Sequence, residues 1–187
     1  MDEQHTFDAD AAESLEEVVR YRYLSRDELV GALNPTGDED VVDLGSGTGF
    51  YTRDVAPYVG TVRAVDLQPE MHEHFRAEGV PDNVEVVSAG IAEMPFGDST
   101  FDAAYSTMTF HEIVSEASLA AVRRVLRPGA RFVVVDWSAE GEGERGPPLT
   151  ARYGPEQAAQ RIEDAGFEVK NWSGRPETFL VVAAVPT

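Results

Sequence analysis

The sequence predicts an α/β protein: a doubly wound, mostly parallel sheet of seven strands, ending in an antiparallel hairpin. Three observations carry this prediction. Short β-rich runs alternate with helical stretches from about residue 41 onward. A glycine-rich turn, Gly45-Ser46-Gly47-Thr48-Gly49, directly follows the first of those runs. The last two β-rich runs are too close together for a crossover helix, so they pair as a hairpin.

Taken in order, residues 8–33 are expected to be helical. Leu15, Val18, Val19 and Arg22 share one helical face, and Leu29, Val30 and Leu33 follow Ser25, a suitable N-cap. Asn34-Pro35-Thr36-Gly37-Asp38 is a turn. Val41-Val42-Asp43-Leu44 is a short buried strand, and a helix runs from Phe50 to near Pro57. Residues 61–66 form the second strand, and Pro69 opens a helix that ends near Glu78. Residues 84–88 and 101–106 are the third and fourth strands. Ser115 caps a helix with Leu119, Val122, Val125 and Leu126 in one stripe; Pro128-Gly129 stops it before the fifth strand, 131–137. Residues 138–152 form a loop, and Pro155 opens a last helix stopped by Gly166. Residues 167–172 and 178–185 complete the sheet. In such sheets ligands sit beyond the carboxyl ends of the strands, where the strand order reverses. Function is therefore sought at residues 43–50, 66–68, 88–94, 105–112 and 136–139.

A chain of 187 residues suits one domain. We divide it into an N-terminal helical lid segment, 1–37, and an α/β core, 38–187. No cysteine is present, which excludes disulfides, thiolate zinc sites and a cysteine nucleophile. No apolar run could span a bilayer, and the acidic start MDEQHTFDAD is not a secretory signal, so a cytoplasmic protein is expected. Acids outnumber bases 34 to 15, a net charge of −19, and Lys170 is the only lysine. So acidic a surface repels nucleic acid and anionic membranes. The scarcity of lysine points to an extreme halophile, whose salt would screen the repulsion.

The glycine turn narrows the ligand. Dinucleotide turns read G-x-G-x-x-G, the third glycine allowing close helix packing. Counted from Gly45, that glycine falls at position 50, which is Phe50. Asp66 ends the second strand 21 positions after Gly45, where a carboxylate accepts from both ribose hydroxyls. Asp43 lies at the turn, where a pyrophosphate would meet like charge and an ammonium or sulfonium would be attracted.

These motifs, VVDLGSGTGF, AVDLQPEM, AEMPFGDSTFDAAYS and VRRVLRPGARFVVVDW with the later EDAGFEV, occur in an order that resembles the small, type 11-like class I S-adenosylmethionine-dependent methyltransferases. The resemblance covers residues 7–185 and implies a Rossmann-like sandwich, S-adenosylmethionine as cofactor and a small-molecule methyl acceptor. Gly45, Ser46, Gly47 and Gly49 would then hold the methionine part and Asp43 its ammonium. Asp66 would bind ribose, with Leu67 and Met71 on the adenine, Ile91 and Ala92 at its edge, and Ser106 near the methionine end. Two departures stand out: Ser88-Ala89-Gly90 replaces an acid usual beside Ile91, and Ala130 replaces a second glycine.

Methyl transfer from a sulfonium needs alignment, and a base only when the acceptor must lose a proton. No fixed triad is expected. YSTMTFHEI stands where amino-methylating enzymes carry an Asn-Pro-Pro-Tyr-type motif. His111, beside Glu112, is the candidate catalytic base, with packing or capping as its alternative role. His72 and His74 read as surface residues, and their spacing supports no metal site. His5, Phe7, Tyr21 and Tyr23 are lid candidates. Trp137 and Tyr153 are candidate pocket walls, Asp136 a substrate ligand or cap, and Trp172 core or edge packing. Competing readings are a non-catalytic cofactor-binding sensor or partner subunit, a nicotinamide oxidoreductase, and a protein or RNA methyltransferase.

Overall fold

The computed structural model describes residues 9–187. Seven strands, β1 (Asp40–Leu44), β2 (Thr61–Asp66), β3 (Val84–Ser88), β4 (Phe101–Thr107), β5 (Leu126–Trp137), β6 (Glu168–Gly174) and β7 (Thr178–Ala184), form one sheet. Their spatial order is β3-β2-β1-β4-β5-β7-β6, and β7 alone runs against its neighbours. Six helices flank it: α1 (Arg26–Leu33), α2 (Phe50–Val55), α3 (Pro69–Glu78), α4 (Phe110–Ile113), α5 (Glu116–Val125) and α6 (Pro155–Asp164). The expected architecture is therefore present, hairpin included. The chain winds outward from β1 to β3, then returns to lay β4 against the other side of β1. The crevice of such a sheet opens between the carboxyl ends of β1 and β4.

The pleat sorts the core into two layers. Val42, Leu44, Ala104, Phe132 and Val134 face a cluster with Val122 and Val125 of α5 and Ile162 of α6. Their chain neighbours Val41, Ala103, Tyr105, Val133 and Val135 face Leu29 and Leu33 of α1 and Tyr51 and Val55 of α2. Central strands are buried on both faces, which is why they read as continuous apolar runs. The edge strand β6 leaves Trp172 45% exposed.

Local signals were accurate where they were caps. The Ser25 hydroxyl accepts from Glu28 N–H and Ser115 from Ser118 N–H, each fixing a helix start. Two expectations need correction. Residues 8–33 do not form continuous α-helix: Ala9–Glu16 and Val18–Arg22 are 3-10 segments, and the α-helix starts at Arg26. Val18 is 73% exposed, so the apolar face read there is not a core face. The α5 helix ends at Val125, and Leu126 belongs to β5, paired with Phe101. Pro128 disfavours helix at the residue before it, so the chain extends early. Among the described residues no helix is long and apolar enough to cross a membrane.

Candidate functional site

A cavity of about 580 Å³ opens beyond the carboxyl ends of β1, β2 and β4. Its floor is the glycine turn and the ends of β2 and β3. Its far wall is the segment after β4 with Trp137. Residues 14–23 and 145–151 roof it.

The turn is built to bring bare backbone to that cavity. Gly45, Gly47 and Gly49 all have positive φ. A Cβ on Gly45 would lie 2.4 Å from Thr109 Cγ2, and one on Gly49 2.3 Å from the Phe75 ring. Neither position admits a side chain, whereas Gly47 faces the cavity with only Leu15 near. Gly45 and Ser46 N–H donate to Val65 O at 2.8 and 2.9 Å, tying the turn to β2. Asp66, on the cavity wall, accepts from Gly47 N–H through Oδ2 at 2.8 Å and from Gln68 N–H through Oδ1 at 2.9 Å.

Asp43 lies deeper than its place at the turn suggests. It is 1% exposed and off the cavity wall. Its Oδ2 accepts from the Thr52 hydroxyl at 2.6 Å, while Oδ1 makes no hydrogen bond. Burial pushes its carboxyl up to about 7, and the Thr52 and Tyr105 hydroxyls offset only part of that. Ser46 Oγ and Ser106 Oγ are likewise buried and unpartnered. Such a set of orphaned polar atoms beneath a cofactor-sized cavity fits a polar, cationic group above it.

At the β2–β3 side, Leu67 (46% exposed), buried Met71 and Ile91 form an apolar wall with Ala89 and Gly90. Ala92 is exposed and Ser106 fully buried, and neither lines the cavity. In the Ser88-Ala89-Gly90 stretch that stands in place of the acid beside Ile91, the Ser88 hydroxyl lies 3.1 Å from His72 Nδ1. His72 is not a surface residue; it is 1% exposed, and burial holds its pKa down. His74 is exposed.

The opposite wall holds a histidine–aspartate pair. His111 N–H donates to Asp136 Oδ2 at 2.6 Å, and His111 Nδ1 lies 2.9 Å from the same oxygen. Trp137 N–H donates to Asp136 Oδ1 at 2.7 Å. Capping and side-chain pairing thus coexist at His111: Asp136 closes the start of α4 and also holds the ring. Glu112 Oε1 is 3.7 Å from His111 Nε2. Burial lowers the His111 pKa, but the Asp136 hydrogen bond and the charges of Asp136 and Glu112 outweigh it, so the pKa is raised. Burial, reinforced by Asp136 and Asp66 against the pull of His111, moves Glu112 up to about 7.

The remaining aromatic candidates separate. Trp137 and Tyr23 line the cavity and stack edge to face, centroids 4.9 Å apart. Tyr153 packs on Phe110 and Arg161 instead, and Tyr21 donates to Asp54 outside the cavity. His5 and Phe7 lie outside the described residues. The sequence reading missed Arg20, which lines the cavity while its guanidinium sits over Phe50 and Tyr51. It also missed Thr109, which bonds Gly45 O, and the Arg145 side of the roof. No spacing or motif in the sequence marks those arginines among the others. Among the described residues, no group of three His, Asp or Glu side chains is placed to hold a metal ion.

A family model described as a methyltransferase domain matches residues 42–134. The chain is 29% identical over 150 residues to a sterol 24-C-methyltransferase of Yarrowia lipolytica, covering 70% of this chain and 39% of that protein. It is 33% identical over 108 residues to a ubiquinone/menaquinone biosynthesis C-methyltransferase of Klebsiella pneumoniae, covering 54% and 43%. The chain thus spans less than half the length of either relative. A crystal structure described as a SAM-dependent methyltransferase from Aquifex aeolicus superposes with a TM-score of 0.89 at 28% identity, over 96% of this chain and 100% of that one.

Proposed function

We propose that the chain carries a class I S-adenosylmethionine-dependent methyltransferase domain and transfers the methyl group to a small, largely apolar acceptor. One observation carries the reading: a single cavity joins the glycine turn and Asp66 to the His111–Trp137 wall. Cofactor and acceptor would meet there in line, under one roof that excludes water. The cofactor supplies an electrophilic methyl on a sulfonium. The chain does the rest. Gly45, Ser46, Gly47 and Gly49 shape the turn over which the methionine part lies, and Asp43 faces its ammonium from below. Asp66 takes the ribose hydroxyls, and Leu67, Met71 and Ile91 hold the adenine. The supporting role of Ala92 and Ser106 is indirect, since neither reaches the cavity.

The acceptor region, with Met108, Ile113, Trp137, Pro147 and Pro148 on its walls, suits an apolar body. The matched relatives are named for sterols and quinones, which are such molecules. Of the segment 1–37 read as a lid, residues 14–23 roof the cavity in this reading while α1 packs into the core, and the acidic surface serves as an adaptation to high salt.

Calorimetry tests the proposal. S-adenosylhomocysteine should bind in molar KCl and NADH should give no heat; the reverse result overturns the reading. Label transfer from methyl-labelled cofactor to an extractable small product separates enzyme from sensor. A melting temperature that fails to rise from low to molar KCl removes the salt adaptation.

A further inference from the structure

We propose that His111 takes a proton from the methyl acceptor, that Asp136 positions it, and that the acceptor is therefore an apolar molecule bearing a weakly acidic hydroxyl, a phenol or an enol. This rests on the methyl-transfer reading above.

The geometry assigns each nitrogen of the ring. Asp136 is fully buried and receives His111 N–H, Trp137 N–H and, at 2.9 and 3.1 Å, the His111 ring. A carboxylate held by two backbone donors cannot swing away, so it fixes the tautomer with the proton on Nδ1. Nε2 then carries the lone pair. Among the described residues it has Glu112 at 3.7 Å as its facing acid, beyond hydrogen-bond distance, and the ring lines the cavity.

The charges around the ring suit a base that becomes cationic. Asp136 faces it from β5 and Glu112 from α4, and both stabilise an imidazolium; Arg152, from the loop before α6, opposes them, and Asp66 acts on Glu112 from β2. A thioether has no proton to give and would gain nothing from this pair, and an alkene loses its proton only after the methyl has arrived, so the pair would not activate it as a nucleophile. A hydroxyl on an aromatic or enolic carbon gains a nucleophilic electron pair, on oxygen or on the conjugated carbon.

The step balances. The hydroxyl proton moves to Nε2. The freed pair bonds to the methyl carbon, and the carbon–sulfur bond breaks with its electrons kept by sulfur. The positive charge passes from sulfonium to imidazolium, and the sulfur leaves as a neutral thioether.

The test uses a naphthol, whose ionised form has its own absorbance, added to the protein saturated with S-adenosylhomocysteine. The wild type should ionise the bound naphthol at least about one pH unit below its free value, a tenfold shift. His111→Gln should abolish that shift with S-adenosylhomocysteine affinity unchanged within about threefold, and should slow methyl transfer to the naphthol roughly 100-fold. Asp136→Asn should weaken the shift and move the acid limb of the pH–rate profile to lower pH, because the ring loses its charge partner. If Asp136→Asn does not fold, the His111→Gln result stands alone. Naphthol bound in its neutral form, naphthol that does not bind, or His111→Gln methylating at the wild-type rate each overturns the proposal. Failure of S-adenosylhomocysteine itself to bind overturns the methyl-transfer reading instead.

Discussion

Asp43 and Asp136 stand at the carboxyl edge of one sheet, on β1 and β5, and are equally buried, at 1% and 0% exposure. Their surroundings treat them differently. Asp136 has its acceptors used by three donors from its own chain. Asp43 accepts from Thr52 alone within hydrogen-bond distance, with the Tyr105 hydroxyl beside it, and its second oxygen has no donor that close. A carboxylate saturated by the chain holds structure in place. One left open in a dry site costs free energy that a cationic ligand would recover. The two halves of the cavity divide along this line: the β1–β2 side is prepared for a charge that arrives, the β4–β5 side holds a histidine already in position.

The largest effect should come from breaking the saturated site. In Asp136→Asn one oxygen remains, while the amide nitrogen faces an N–H donor that no longer has an acceptor. We expect a loss of about 3 kcal/mol in urea unfolding, the usual scale for a buried charged acceptor. A change under about 0.5 kcal/mol would show that the three contacts contribute nothing, and the contrast with Asp43 would fall.

Asp43→Asn should do the opposite. In the ligand-free protein Asp43 titrates near 7, raised from 3.8. A raised carboxyl favours the folded state below its unfolded pKa, and that contribution is lost as pH rises through about 7. Asn has no such loss. The variant should match the wild type near pH 4 and exceed it by about 1–3 kcal/mol at pH 8. It should also bind S-adenosylhomocysteine at least tenfold more weakly. Wild-type binding at pH 6 should release protons, seen as a dependence of the binding heat on the buffer's ionisation enthalpy; the variant should release fewer. A variant less stable than wild type at pH 8 contradicts the open-carboxylate account.

Much of the β1–β2 half was legible in the sequence because its parts are local. The glycines, Asp43 and Thr52 lie within ten residues, and Asp66 follows at a spacing set by one strand–helix–strand unit. The depth of Asp43 was not legible, since proximity along the chain does not say which side of a turn a carboxylate takes. The His111–Asp136 pair joins positions 25 apart, which meet because β4 and β5 are neighbours in register. Both were picked out singly as strand-end residues, but no pattern in the sequence linked them. His72 was misplaced for the same reason: lying on a helix away from the carboxyl edge it reads as a surface residue, but β3 supplies Ser88 to cover it. The roof was hardest, because Leu15, Val18 and Val19 repeat as a core-facing α-helix would, while the segment is 3-10 and leaves Val18 and Val19 exposed.

Asp66→Ala tests whether the β1–β2 half acts through its charge or its shape. The substitution removes both an acceptor for Gly47 N–H and the proposed ribose ligand. S-adenosylhomocysteine affinity should fall by about 1.5 kcal/mol, or tenfold. Asp66→Asn, which keeps an acceptor for the turn, should recover less than half of that if the ribose bonds dominate. Full recovery would assign Asp66 to the turn and remove it from the cofactor.

The smallest effect belongs to the roof. Its two arms meet through Glu17–Arg145 at 2.8 Å and Arg22–Glu144 at 3.1 Å, all with side chains 39–64% exposed. Exposed pairs contribute little to stability and weaken with salt. Arg145→Ala should therefore change unfolding free energy by less than about 0.5 kcal/mol. Its effect should instead appear in kinetics. With one pair gone the arms part more readily, so S-adenosylhomocysteine should dissociate a few-fold faster in dilute buffer, measured by stopped flow. In molar KCl the wild-type pairs are screened as well, and the two proteins should release ligand at the same rate. A difference that persists in molar KCl would mean that the apolar contacts of the roof, Leu15 over the turn and Pro147 and Pro148 above the acceptor wall, depend on Arg145 for their placement. The roof would then belong with Asp136, among the parts fixed before any ligand arrives.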